Sequence, residues 1–556
     1  MFEYGIMIMR IMLQNMHKRY FLLILIFLLA VFLRFWQLGE IPSGVHTDEA
    51  DTGYSAYSIL KTGLDPHGGF NLIALSDNNT GGTHPPIYTY LLIPLIKIFG
   101  LNIFIERLPS AILGSLTVII VFFIVNKLFK SIALSNVATF LFATNAWATH
   151  ISRQGLLEAE SLFFVLLGVV LFLYSDKNKY LLIFSAVFFG ISLYAYDAPK
   201  IFLPPFLILL FYFYRNVLLK IKKFLIIFTL IFSLFYASVL HLTFLQGGII
   251  DYNRSSVFKS VDLTVNTERF QTNAPLWLSS IFHNKFTVSL KNFETSYVNV
   301  FSLNWLFVNG SNNLQRAVGN HGQFYLFTLP FFFIGINLVF KKNANLGLFL
   351  IGWMLLGALP GGLTTGNYAY RSIHVLPIPI MFSSLGIVWA WKLLSKKKQV
   401  LNISIKLLTI ILMLIYIFSY FFTYFFDYPV YSSEYWSGQQ NDAIKFAILH
   451  KNAYEKVFID GGEPWAIGYA FFNKIDPLIY QNAYKNQEYF KGIKTIKIND
   501  IYFGIFSLGD IKKPSDFFPK NSLVITNAVN FSKVNELKSF YDPGQIRAIF
   551  KVFEVK

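Results

Sequence analysis

The chain has 556 residues, of which 54% are hydrophobic and 14% charged, with 61 Phe, no Cys and a formal net charge of +17. A soluble chain would carry roughly a quarter of its residues as Asp, Glu, Lys and Arg, and apolar runs of about 20 residues, enough to cross a bilayer as helices, recur along most of this one. The class is therefore an α-helical polytopic membrane protein, and disulfides, thiolate catalysis and Cys-ligated metals are excluded.

Eleven spans are predicted, near residues 20–37, 107–126, 131–148, 157–175, 180–196, 198–214, 223–242, 324–340, 345–360, 372–393 and 403–426. The first is too long for a signal peptide and no small-residue cleavage site follows it, so it reads as an anchor. Lys18 and Arg19, Lys127 and Lys130, Lys177 and Lys179, Arg215 to Lys223, Lys341 and Lys342, and Lys396, Lys397 and Lys398 fall in alternate gaps. That side is expected to be cytoplasmic. The positive charge then reports topology and contact with membrane lipids; basic residues scattered over short loops do not suit a nucleic-acid partner. An odd number of spans places the N-terminus inside and the C-terminus outside. "PPIYTYLLIPLIKIFG" (85–100) would invert every later loop if it crossed, so it is expected to lie at the outer interface.

Three regions then face outward: 38–106, 243–323 and 427–556. Residues 1–426 are expected to form the transmembrane domain. The tail, 427–556, alternates β-rich runs ("KVFID" 456–460, "IYFGIF" 501–506, "SLVIT" 522–526, "IRAIFKVFEV" 546–555) with helical stretches such as "NDAIKFAILHK" (441–451), and is expected to be a small extracytoplasmic α/β domain.

The densest acidic cluster sits just past the first span, in "GVHTDEADTGY" (44–54). Thr47 is placed to cap a helix whose first turn holds Asp48, Glu49 and Asp51. Acids at a helix N-terminus are stabilised by the dipole and need no further purpose. Their position at the outer membrane surface offers a second reading: a carboxylate there can take a proton from a hydroxyl. A hydroxyl attacking an activated sugar needs such a base, and positive charge on the departing group. Arg34, Arg107, Arg153 and Arg371 fall on the outer side, where few cations are expected, although snorkelling accounts for any one of them alone. Glu158 and Glu160 follow Arg153. His84, in "GTHPP" (82–86), has no defined metal partner, and the other outer-face histidines show no ligand spacing.

"LRFWQLGEIPSGVHTDEADTGYSAYSIL", "THPPIYTYLLIPLIKIFGLNIFIERLPSAILGSLTV", "SRQGLLEAESLFF", "YAYDAPKIFLP" and "YRSIHVLPIPI" together resemble lipid-carrier-dependent glycosyltransferases of the GT-C fold, the family of protein O-mannosyltransferases and aminoarabinose transferases. The likeness covers roughly residues 25–215 well and later spans loosely. It implies a polyprenyl-phosphate sugar donor, inverting transfer, and a hydroxyl acceptor on a protein, lipid or glycan. By this resemblance Asp48 is the base and Glu49 orients the base or the acceptor. Arg153 supports the site or the phosphate, Arg371 is a second phosphate contact, and Glu158 and Arg107 are supporting residues. Some relatives carry Glu-Lys before the double proline, serving metal and phosphate. Here Thr83-His84 stands there, so no residue is assigned to metal, a divalent metal cofactor stays open, and His84 is a phosphate-contact candidate. A transporter or flippase of lipid-linked sugars is the alternative; its usual marks are mid-membrane ionisable groups and inverted repeats, whereas here the acids sit at span ends and no internal repeat is found.

Overall fold

The computed structural model describes residues 20–76, 83–245, 256–259, 261–364, 368–395, 399–506, 514–527 and 535–556. Lys18, Arg19 and the Lys396 to Lys398 cluster of the basic series lie outside them. The chain divides into two compact units: one takes in the chain up to Trp36, Ser110–Ser152 and Leu157–Phe421, the other Gln37–Pro109, Arg153–Leu156 and Phe422–Lys556.

Among the described residues five helical stretches are long and apolar enough to cross a membrane: Ile103–Phe129, Ala198–Leu242, Ala344–Gly362, Ile373–Leu394 and Ile403–Tyr431. The chain is a multi-pass membrane protein. Other predicted spans coincide with shorter apolar helices, Tyr20–Phe35, Ile132–Thr144 and Leu181–Ser192. The predicted run 131–148 breaks at Asn145, which ends one helix and caps the next, accepting the Ala148 N–H at 2.9 Å and donating to the Gln323 carbonyl at 3.0 Å. Hydropathy counts through such a break; the hydrogen bonds do not.

The longest stretch is a hairpin. Helices Ala198–Leu218 and Lys222–Leu245 are joined by a 3-10 turn, Leu219–Ile221. Phe211 meets Phe228 at 5.5 Å and the Tyr236 hydroxyl donates to the Lys200 carbonyl at 3.2 Å, which sets the two helices antiparallel. Helices Leu329–Lys342 and Pro377–Leu394 cross closely because each offers a glycine to the other. A Cβ at Gly335 would lie 1.9 Å from the Phe382 carbonyl oxygen, and one at Gly386 would lie 2.1 Å from that of Phe331. Small residues replace the missing hydrophobic drive between helices in lipid by letting backbones pack.

In the second unit, helix Thr47–Thr62 is followed by a short hairpin, Leu75–Ser76 with Thr83–His84, and by helix Ile87–Phe99. At 13 residues that last helix reaches about 20 Å, short of the hydrocarbon core. The tail builds a seven-stranded mixed sheet from β1 (Lys456–Asp460), β2 (Glu488–Phe490), β3 (Ile493–Ile498), β4 (Ile501–Gly504), β5 (Ser522–Asn527), β6 (Asn535–Tyr541) and β7 (Ala548–Val555), in the order β2-β3-β4-β1-β5-β7-β6. β1 runs parallel to β4 and β5; the remaining pairs are antiparallel. One face packs Phe458, Tyr502, Phe506, Phe518, Val524 and Val555. Helix Gly462–Asn473 covers the other, with Trp465 against Phe550 at 4.9 Å and Tyr469 against Phe503 at 5.6 Å. Helix Thr47–Thr62 packs against Gly462–Asn473, so segment 38–106 and the tail share one core.

Candidate active site

The helix that carries the acidic cluster is capped one residue earlier than its sequence suggests. His46, not Thr47, is the N-cap: its backbone is extended and its Nδ1 accepts the Asp48 N–H at 3.2 Å. Three positions on, the Glu49 carboxylate accepts the His46 N–H at 3.0 Å and closes a capping box.

This register separates the two adjacent acids. Glu49 turns inward and is fully buried. Its Oε1 accepts from Arg107 Nε at 2.9 Å and from the Gly155 N–H at 2.8 Å; its Oε2 accepts from Arg107 Nη2 at 3.0 Å and from His46. Asp48 turns outward, its side chain 56% exposed, 3.4 Å from His46 Nδ1. Asp51, read as a first-turn dipole charge, is instead buried at 3% exposure and accepts from the Ser55 hydroxyl at 3.3 Å.

Arg107 and Arg153 both hold the segment leading into this helix. Arg107 is buried, donates to the carbonyls of Leu38, Pro42 and Gly44 at 3.3, 2.9 and 2.6 Å, and lies over the Trp436 ring at 5.8 Å. Arg153, also buried, donates to the carbonyls of Gln37 and Ile41 at 3.3 and 3.1 Å and lies over Tyr424 and Phe425 at 5.5 and 5.0 Å. Gly44 must be glycine: its φ is +98°, and a Cβ there would lie 2.4 Å from the Trp436 carbonyl oxygen. The segment is further tied by Asn441, which accepts from the Val45 N–H and donates back to its carbonyl. Sequence patterning does not flag Glu106, which lies fully buried against Gly53 and Gly155, with both carboxyl oxygens lacking a hydrogen-bond partner among the described residues. Its place beside Arg107 in "ERLPS" was the available signal.

Residues 24–252 match the family model of dolichyl-phosphate-mannose-protein mannosyltransferase. Among solved structures, the chain is similar to ArnT from Cupriavidus metallidurans bound to undecaprenyl phosphate, with a TM-score of 0.55, 10% identity, and coverage of 96% of this chain and 98% of that one. The chain has the GT-C glycosyltransferase fold. The apo state of the same ArnT gives a TM-score of 0.52 at 9% identity, covering 95% and 97% of the two chains. The archaeal oligosaccharyltransferase AglB from Archaeoglobus fulgidus, in complex with an inhibitory peptide and a dolichol-phosphate, gives 0.50 at 14% identity over 82% of this chain. This chain spans 64% of AglB's length. No curated protein sequence matches the chain.

The other residues singled out lie elsewhere in this GT-C scaffold. Arg371 ends helix Tyr368–Arg371 in the helical unit, within electrostatic range of Tyr196 and Asp197. Glu158, in the first turn of Glu158–Leu173, is buried and lies within electrostatic range of the same Tyr196. Arg34 is buried in the helical unit and donates to the Ala143 carbonyl at 3.0 Å, so it does not snorkel to water. His84 sits in the short hairpin, its Nδ1 3.1 Å from the Pro85 carbonyl. Among the described residues no group of three or more His, Asp or Glu is arranged to hold a metal ion.

Proposed function

We propose that this protein is an integral-membrane inverting glycosyltransferase that moves a sugar from a polyprenyl-phosphate carrier to a hydroxyl on a protein, lipid or glycan at the outer face of the membrane. The observation that carries the reading is the division of labour at residues 48 and 49, inside the stretch that matches the mannosyltransferase family. Glu49 is consumed by four hydrogen bonds and is unavailable to a substrate. Asp48, next to it, is exposed and held in place by the helix that Glu49 and Arg107 anchor.

In this reading Asp48 takes the proton of the acceptor hydroxyl as its oxygen attacks the anomeric carbon. The bond to the carrier phosphate breaks with its electron pair leaving on the phosphate oxygen. Glu49 orients the base, and Arg107 and Arg153 support it by fixing segment 37–44. Arg371 and His84 are assigned to the departing phosphate, and Glu158 to support. Two of the similar structures are complexes with a dolichol-phosphate and with undecaprenyl phosphate, which favours a lipid-phosphate donor. Among the described residues no group is arranged as a metal cage, and no step is assigned to a metal.

The test is reconstitution of the full chain with a labelled polyprenyl-phosphate sugar and a crude acceptor pool, wild type beside Asp48→Asn, with a chelator arm. Transfer in the wild type that collapses in Asp48→Asn and survives chelation supports the reading. Label carried across the bilayer without transfer would make the protein a flippase instead.

A further inference from the structure

Between the hairpin arm Lys222–Leu245 and helix Leu329–Lys342, the helical unit carries three short helices, Val261–Phe270, Leu276–Phe282 and Lys285–Asn299. With 10, 7 and 15 residues, none reaches across a hydrocarbon core. Charged groups tie the three together. Glu268 pairs with His283 at 3.0 Å and with Lys291 at 3.4 Å, Arg269 Nε donates to the His283 carbonyl at 2.7 Å, and Lys285 pairs with Asp262 at 2.8 Å. Val261, Val265 and Val288 form a small core between the first helix and the third. What this packing leaves outside is apolar. Phe270 is 90% exposed, Leu276 86% and Trp277 65%, and Leu263, Phe282 and Phe286 are exposed with them. Residues 270–282 carry no charge. Large apolar groups gathered in this way mark an interaction surface.

A second observation gives the level at which this bundle is held. Helix Lys285–Asn299 packs against Ala344–Gly362, one of the stretches long and apolar enough to span. Tyr297 lies along that helix. A Cβ on Gly362, its last residue, would lie 2.9 Å from Tyr297 Cβ, and the Tyr297 hydroxyl donates to the Leu355 carbonyl at 3.0 Å. The ring thus follows the spanning helix inward from position 362 toward 355, residues about 10 Å apart along the axis. Leu348 and Leu355 of that helix are themselves exposed, and on a spanning helix such positions meet lipid. The same end is tied again: Ser256 forms a bridge with Thr364, the Val257 N–H donates to the Leu363 carbonyl at 3.2 Å, and Asn292 donates to the Val257 carbonyl at 3.3 Å. Both ties hold the bundle to the end of a spanning helix, the level at which hydrocarbon gives way to head groups.

We infer that the apolar side of residues 263–286 docks into the bilayer at its interface with water, seating Phe270, Leu276, Trp277 and Phe286 among the lipids. The occupant is lipid, not a soluble partner or a second copy of the chain, because the bundle is fastened at membrane level to a helix whose own exposed leucines face lipid. The exposed set also holds an indole, and Trp concentrates at the membrane–water boundary. Helices too short to span, charged on one side and apolar on the other, lie in that boundary with the apolar side about 5–10 Å deep. The inference concerns neither Asp48 nor the transfer reaction and stands without them.

The chain has no Cys, so single cysteines report without background. The experiment labels Phe270→Cys, Leu276→Cys and, as the charged-side control, Lys285→Cys with a polarity-sensitive dye, in the full chain at one copy per phosphatidylcholine nanodisc. A lipid spin-labelled near the head-group end of its acyl chain is expected to quench the dyes at 270 and 276 at least about twofold, while aqueous iodide leaves them bright. The dye at 285 is expected to show the reverse. All three side chains are exposed, so the replacements should leave the melting temperature at the wild-type value; Phe286→Cys replaces any reporter that lowers it. Dyes at 270 and 276 that iodide quenches and spin-labelled lipid does not overturn the inference in favour of a surface open to water or to a protein partner. Dyes protected from both quenchers overturn it in favour of cover by the chain itself. The readout is lipid contact and involves no sugar transfer, so its failure is separate from failure of the transferase reading.

Discussion

Neighbouring carboxylates with opposite fates are the sharpest feature of the second unit. Successive residues on a helix point about 100° apart, so with Glu49 turned into the protein to meet Arg107, Asp48 faces out. The consequence separates two variants that look alike in sequence. Asp48→Asn removes a largely exposed carboxylate and should leave the melting temperature unchanged, while transfer falls about 10²–10⁴-fold through loss of the general base. Glu49→Gln leaves the Arg107 guanidinium buried without its countercharge, and should cost roughly 3–5 kcal/mol of stability. Thermal unfolding and transfer rate, measured on both purified variants, check this; an Asp48→Asn protein that unfolds early while Glu49→Gln does not would reverse the assignment. Part of this was legible in the sequence. The acidic cluster and its helix were, but the preference of Thr for N-caps put the cap one residue late. The spacing His46-x-x-Glu49 fits a capping box once His is admitted as the cap. Arg107 as the partner was not legible, because 58 residues separate the two and only the fold closes that distance.

Between elements, docking of segment 38–106 onto the tail depends on pairs far apart in the chain. The Tyr54 hydroxyl donates to the Ile475 carbonyl at 3.0 Å, and Gln481 donates to the Thr62 hydroxyl and the Asp65 carbonyl. His67 Nε2 lies 2.7 Å from Glu463 Oε1. Burial lowers the His67 pKa, but the Glu463 hydrogen bond and the charges of Glu463, Asp65 and Asp51 outweigh it and hold the imidazole above its ordinary value. A His whose folded pKa is raised stabilises the fold below its unfolded pKa, about 6.5, and loses that contribution as pH rises through the folded value. The melting-temperature gap between wild type and His67→Gln should therefore be widest in mild acid and shrink toward alkaline pH. A gap independent of pH would mean that His67 contributes packing and no charge. Strands β1, β4, β5 and β7 were readable as apolar runs, and β4, β1 and β5 are the three at the middle of the sheet. Strands β2, β3 and β6 were not: "EYF", "IKTIKI" and "NELKSFY" interleave charges with apolar residues, and β2 and β6 are the edge strands, where charge is expected.

For the whole molecule, hydropathy located the helices, and five stretches among the described residues are long and apolar enough to span. It cannot see Asn145 turning a hydrogen bond inward, but it divides the 45-residue apolar stretch into spans 198–214 and 223–242, the two arms of the hairpin that Phe211 and Phe228 close. The charge pattern carries different information, because it depends on which loops hold lysine and not on where each helix ends. From it Lys177 and Lys179 are expected on the cytoplasmic side and the tail outside, with the Asp48 helix on the tail's side. The absence of cysteine makes this testable with single substitutions at exposed positions. In sealed cells a membrane-impermeant maleimide should modify Asn486→Cys in the tail at once, and Lys177→Cys only after the membrane is opened. The two positions lie in different units, so the result does not depend on any one helix boundary. If both react in sealed cells, or only Lys177→Cys does, the carboxylate proposed to receive the acceptor's proton does not face the outside, and an outer-face acceptor is ruled out with it.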